Sequence, residues 1–231
     1  MTIISVIVPA YNEQKTIVRV LEKVAAQKSA SFDLEVIVVD DGSKDGTREL
    51  LKARPDLYRK LILRESNGGK GAAVKDAINA ATGDYVLIQD ADLEYDPVDY
   101  ARLFKPIELH EADVVMGSRF VAPELTRVFY FTHKIGNMLI TLLFNVLNNT
   151  TFTDIYCGYL VYRRGLFDAN GLRTVGWQQH AEMLSKAIRS ATTVYEVPVS
   201  YHGRTYAEGK KIRPHHVLGI FWTIAVERFR P

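Results

Sequence analysis

Val86 to Pro97, VLIQDADLEYDP, passes from a short apolar run into a row of carboxylates. Tyr85 to Ile88 have the length and branching of a buried strand, and the acids begin where that run stops, so they belong to a strand's carboxyl end. In extended chain Asp90 and Asp92 point to one side, and Glu94 joins them if the chain stays extended past Leu93. Two hard oxygen ligands side by side suit a divalent cation, and one that keeps waters and accepts phosphate oxygens is Mg²⁺ or Mn²⁺. An Asp-x-Asp on a solvated turn is the ordinary alternative. The position directly after a buried strand favours the metal.

On either side of this stretch, from Ile3 to Ser118, short β-branched runs alternate with helical periodicity. IISVIV precedes Glu13–Gln27, LEVIVV precedes Asp45–Ala53, KLILR precedes Gly71–Ala80, DYVLIQ precedes Pro97–His110, and ADVVMG closes the series. Five strands joined by four helices imply right-handed crossovers and a mostly parallel α/β sheet. Ligands of such sheets lie outside the carboxyl ends of the strands, so PAYNE, DDGSKDGT, ESNGGKG, DADLE and GSRF are the segments that carry function. No repeat or linker breaks the 231 residues, which read as one domain with a nucleotide-sized half at 1–120 and a second half at 121–231.

The totals narrow the classes. A net charge of +2 excludes a general nucleic-acid binder, and 47% hydrophobic content is ample for a large core. The single Cys157 excludes a disulfide framework within the chain and any multi-cysteine zinc site. MTIISVIVPAYNE lacks the basic stretch and long apolar core of a secretory signal, and no segment reaches the roughly 20 apolar residues needed to cross a bilayer. A soluble or peripheral protein is expected.

At the first strand end, Tyr11 offers a ring on which a base could stack, and Asn12 suits a helix cap. At the second, Asp40 and Asp41 follow a buried run. A carboxylate there needs donors, which a ribose or base supplies, so Asp40 is the nucleoside-recognition residue. Asp45 resembles a helix cap, and Gly42 and Gly46 turn glycines. Asn67-Gly68-Gly69-Lys70-Gly71 is not a P-loop, because Lys70 is followed by Gly71 and the upstream glycine is missing. It is a turn before a helix, with Lys70 near a diphosphate as the functional alternative.

PAYNEQKTI, VVDDGSKDGT, ESNGGKGAAVKDAINAATGDYVLIQDADLEYDP and MGSRF, in this order and spacing, resemble the nucleotide-sugar-binding domain of inverting family 2 glycosyltransferases. The likeness is nearest to dolichyl-phosphate mannose synthases and bacterial polyprenyl-phosphate glycosyltransferases, dense over the first half and looser beyond. It implies a GT-A, Rossmann-like fold. Carried over by position, it implies that Pro9, Tyr11, Glu13 and Asp40 hold the nucleoside, with Lys70 and Asp90-Ala91-Asp92 completing the nucleotide-sugar site. Asp90, Asp92 and Glu94 become the metal cluster and Arg119 faces phosphate. Relatives often carry glutamine where this chain has Glu94.

After Arg119, VFYFTHKIGNMLITLLFNVL (Val128 to Leu147) contains no acid and has apolar residues at helical spacing. A core helix and an amphipathic helix lying on a membrane surface both fit, and the resemblance favours the second. Asp154-Ile155-Tyr156-Cys157-Gly158-Tyr159 resembles the acceptor-side motif of these enzymes, in which an aspartate faces the sugar. Glu182, on a helix over Trp177–Ile188, is a second acceptor-side acid, with a surface role as the alternative. After the strand TVYEVPVSY, a basic loop holds Arg204 and Lys210, suited to gripping a phosphate. The final VLGIFWTIAVERF packs as a terminal helix or dips into the interface.

The combined expectation is metal-dependent transfer of a hexose, mannose or glucose, from a GDP- or UDP-sugar to a dolichyl or undecaprenyl phosphate. Asp92, Arg119, Arg204 and Lys210 carry the chemistry at the cytoplasmic membrane face, where a membrane-protein partner could join. Two alternatives stand beside it: a sister enzyme acting on a hydroxyl of a soluble glycan or small molecule, and a non-catalytic nucleotide-sugar-binding subunit.

Overall fold

The computed structural model describes residues 1–27, 29–121, 131–203 and 216–230. Arg204 and Lys210 lie outside the described residues. Among these residues one sheet contains β1 (Thr2–Ala10), β2 (Phe32–Asp40), β3 (Lys60–Leu63), β4 (Tyr85–Ile88), β5 (Val114–Ser118), β6 (Leu160–Arg163) and β7 (Val194–Pro198), in the order β3-β2-β1-β4-β6-β5-β7. The five strands expected from the apolar runs are all present, and β7 falls within TVYEVPVSY. β6 was not expected. It runs antiparallel between β4 and β5, pairing Leu87 with Val161 and Val115 with Val161, while every other neighbouring pair is parallel.

The strands are apolar without alternation because helices cover both faces. Residues 4–10 of β1 and 35–40 of β2 are buried throughout. Glu35, the acid at the start of the buried β2 run, accepts hydrogen bonds from Ser5 Oγ at 2.5 Å, Thr82 N at 2.8 Å and Thr82 Oγ1 at 2.7 Å. These bonds satisfy a buried carboxylate and tie β2 to β1 and to the turn that enters β4. The helices are α1 (Ile17–Ala25), α2 (Thr47–Ala53), α3 (Lys70–Ala80), α4 (Tyr100–His110), α5 (Phe131–Asn148), α6 (Gln179–Ser190) and α7 (His216–Phe229).

The chain winds outward from β1 through β2 to β3, then returns to place β4 on the other side of β1. The carboxyl ends of β1 and β4 therefore flank a point where strand order reverses, the position at which open α/β sheets bind ligands. Asp90 lies there.

α5 is not a buried core helix. Its buried residues are Ile140, Thr141 and Phe144, while Phe131, Ile135, Met138, Leu139, Leu142 and Val146 form an exposed apolar stripe. Leu218, Trp222 and Phe229 of α7 are 72–81% exposed, and α7 packs beside α5. No helix among the described residues is long and apolar enough to cross a membrane.

Candidate active site

The exit of β4 is fixed by Gln89, a residue with no role in the sequence reading. It is fully buried, and its Oε1 accepts the hydroxyls of Tyr100 and Tyr159, each at 2.8 Å. Its Nε2 donates to the backbone oxygen of Asp90 at 3.0 Å. A buried amide with every group paired holds the following turn in one place. The signal in the sequence was an amide between an apolar strand and a row of acids.

Beyond Asp90 the chain turns at Ala91 and Asp92, and Leu93 adopts φ 62°. Extended geometry therefore does not carry Glu94 into line with Asp90 and Asp92. Glu94 is drawn instead toward the segment after β7: its Oε2 accepts the Tyr201 hydroxyl at 2.9 Å and its carbonyl accepts His202 N at 2.8 Å. No three His, Cys, Asp or Glu side chains among the described residues are gathered as a metal-holding group. The cation at this end of the sheet is Lys70, whose ammonium pairs with Asp90. Desolvation works against that charge, but Asp90, Asp92 and Glu94 together raise the Lys70 pKa above its ordinary value.

Lys70 is presented by a braced turn. Asp41 accepts Gly68 N at 3.0 Å and Gly69 N at 2.9 Å and forms an ion pair with Arg64 at 2.9 Å. Gly71 donates to Val175 O at 3.1 Å, and the Gln179 amide donates to Gly71 O at 2.9 Å. A side chain at Gly71 would come within 2.5 Å of the Val175 backbone, so glycine is required for that approach. Asp40, the partner acid, is also buried: it forms an ion pair with Arg48 at 2.7 Å and accepts Ser43 N at 3.3 Å. The donors these two acids need come from the chain itself.

Asn12 is not a helix cap. It takes φ 56°, accepts Lys44 N at 2.9 Å and receives no first-turn N–H from α1, so it clips the PAYNE turn to the DDGSK turn. Asp45 stands one residue before the N-cap position of α2, which is Gly46, and accepts Thr47 N at 2.9 Å and Thr47 Oγ1 at 2.5 Å. Pro9 is buried, while Tyr11 and Glu13 are half-buried at the same sheet end.

Arg119 follows β5 and is held by Asp154 in a fork, Nε to Oδ2 at 2.6 Å and Nη2 to Oδ1 at 2.8 Å. Its guanidinium also lies 5.1 Å from the Tyr201 ring centroid. Asp154 has no exposed surface, so it does not face a sugar as expected; burial obliges it to pair, and it orients Arg119. Glu182 is likewise enclosed, accepting Arg173 N at 2.9 Å, Thr174 N at 2.8 Å and Thr174 Oγ1 at 2.6 Å. It is neither a surface acid nor an acceptor-facing one. It anchors the 172–176 loop that supports Gly71.

His180, also absent from the sequence reading, stands edge-on to Tyr156 with ring centroids 6.0 Å apart. Its Nε2 is enclosed and without a hydrogen-bond partner. Burial pushes its pKa down to about 4, with Lys70 and Arg119 acting the same way and Asp90 and Asp154 opposing, so it is neutral at pH 7. The acid turn and the arginine fork meet at Tyr201, whose hydroxyl donates to Glu94 Oε2 at 2.9 Å while its ring centroid lies 5.1 Å from the Arg119 guanidinium.

Comparison with known proteins agrees with this arrangement. The sequence model described as glycosyl transferase family 2 matches residues 5–171. The dolichyl-phosphate beta-glucosyltransferase of Dictyostelium discoideum is 30% identical, the match covering 91% of this chain and 69% of that protein. Glycosyltransferase AglJ of Haloferax volcanii is 29% identical, covering 95% of this chain and 69% of AglJ. Glucosyl-3-phosphoglycerate synthase from Mycobacterium tuberculosis, solved with Mn²⁺, UDP and phosphoglyceric acid, superposes with a TM-score of 0.72 at 21% identity, over 100% of this chain and 80% of that one. The last likeness establishes the GT-A fold.

Proposed function

The chain belongs to glycosyl transferase family 2 and is a glycosyltransferase, and from that premise we propose that it transfers a hexose, mannose or glucose, from a GDP- or UDP-hexose to a polyprenyl phosphate in a reaction that needs Mg²⁺ or Mn²⁺. The observation that carries this reading is the meeting, at Tyr201, of two stations: an acid turn whose Asp90 already pairs with a cation, and an arginine fork locked by a buried aspartate. The acceptor is supported by the printed activity of the Dictyostelium relative.

In this reading 1–120 binds the donor and 121–231 the acceptor. Pro9, Tyr11 and Glu13 hold the nucleoside, with Asp40 acting from beneath by fixing Arg48 and Ser43 at that sheet end, and Lys70, Asp90, Ala91 and Asp92 meet the diphosphate and sugar. Asp90 and Asp92 fit a divalent ion, being hard carboxylates two residues apart on one turn, the first of which already pairs with a cation, whereas the Glu94 carboxylate accepts the Tyr201 hydroxyl. When bound, the ion would neutralise the charge that develops on the leaving diphosphate. Arg119, with Arg204 and Lys210, orients the acceptor phosphate. A phosphate monoester, with a second pKa near 6, is already anionic at neutral pH, so it needs positioning rather than a base.

The direct check is calorimetric titration with UDP and GDP. Binding of one of them that depends on added Mn²⁺ supports the reading; metal-independent binding, or none, overturns it.

The stripe on α5 and the exposed apolar side chains of α7 favour peripheral attachment to the cytoplasmic face of a membrane. The parent should float with anionic liposomes, while Leu142→Glu and Trp222→Glu, both exposed and thus cheap to the fold, should remain largely unbound. Equal flotation of parent and variants would return this face to another role.

A further inference from the structure

We propose that Lys70 is a built-in counter-ion that holds the metal seat while no donor is bound, and that it yields the seat only to a metal arriving with a nucleoside diphosphate. The inference rests on the metal reading above. Its ground is the placement of the Lys70 ammonium directly against Asp90, one of the two carboxylates of the metal seat.

The surroundings decide which part can move. Asp41 fixes the backbone of Gly68 and Gly69, and Val175 and Gln179 fix that of Gly71. The Lys70 side chain, by contrast, is 51% exposed and has four rotatable bonds. It is also the first residue of α3, whose amino terminus favours an anion. Two cations cannot share the same carboxylates without repulsion, so a bare divalent ion must compete with Lys70. A nucleoside diphosphate changes that balance: its phosphate oxygens complete the metal's coordination and offer the displaced ammonium a new anionic partner within a side chain's reach. Metal alone is thereby disfavoured and metal with donor favoured, which orders the two events without any movement of the backbone.

The mark of this arrangement is a change of sign. Free Mn²⁺ can be counted by its electron paramagnetic resonance signal, with circular dichroism confirming the fold of each variant. Without nucleotide, Lys70→Met should bind Mn²⁺ about tenfold more tightly than the parent, since a competing charge is gone. With saturating UDP or GDP, whichever the parent binds, the same variant should hold Mn²⁺ several-fold more weakly, since the diphosphate has lost its lysine. Lys70→Arg, which keeps the charge, should follow the parent in the nucleotide-free measurement.

Unchanged or weaker nucleotide-free Mn²⁺ binding by Lys70→Met, in a parent that does bind Mn²⁺ with nucleotide, overturns the counter-ion while leaving the metal reading intact. A parent that binds no Mn²⁺ with either nucleotide overturns the metal reading and the counter-ion with it.

Discussion

Asp92→Asn should fold normally and lose on the order of 10²- to 10³-fold in kcat/KM, about 3–4 kcal/mol of transition-state stabilisation. The side chain keeps its size and loses its charge, so the loss measures electrostatics rather than packing. Asp92 lies at a turn whose backbone is held through Gln89 and the tyrosines that bond it, which is why substitution at the tip should leave the strand undisturbed. Steady-state rates with Mn²⁺, beside a matched circular dichroism spectrum, make the comparison. An undiminished rate, or full parent turnover in excess chelator, would remove the metal from the mechanism.

Asp154→Ala should cost stability rather than charge at the surface, by about 3–5 kcal/mol, because breaking a buried pair strands its partner. The Asp154 carboxylate has no exposed surface and receives both arms of Arg119, whose own side chain is 14% exposed. Its amide also donates to Glu196 at 3.1 Å, so the segment is tied to β7 as well. The urea midpoint is the measurement. A variant as stable as the parent would mean that the fork contributes nothing to the fold, and that Arg119 is held by the Tyr156 carbonyl and its ring contacts.

The sheet was legible from β1 to β5 because β1, β2, β4 and β5 are apolar runs buried over most or all of their length, and the edge strand β3, though half-exposed, keeps the apolar LIL run. β6 was not, because its antiparallel place between β4 and β5 depends on partners 44 to 78 positions away, from Met116–Leu160 to Tyr85–Arg163. The location of the acid pair was legible from its place after β4. Its local geometry was not, because the left-handed Leu93 follows no period in the sequence. The least legible features were the buried acids. Asp40, Asp154 and Glu182 each looked ready for a ligand, and each is satisfied by protein donors: Arg48 and Ser43 for the first, Arg119 for the second, Arg173 and Thr174 for the third. A carboxylate at a sheet's end announces that donors are needed, not who supplies them. His180 and Gln89 gave no motif at all, since their parts are set by what surrounds them.

The most direct measurement incubates the protein and Mn²⁺ with radiolabelled GDP- and UDP-hexoses and an equimolar mixture of polyprenyl phosphate, the matching unphosphorylated polyprenol and a soluble oligosaccharide, and identifies the labelled product by mass spectrometry. The account predicts a polyprenyl monophosphate hexose with the anomeric configuration inverted relative to the donor, and no product in excess chelator. Label on the oligosaccharide or the free polyprenol, with the polyprenyl phosphate untouched, would contradict it.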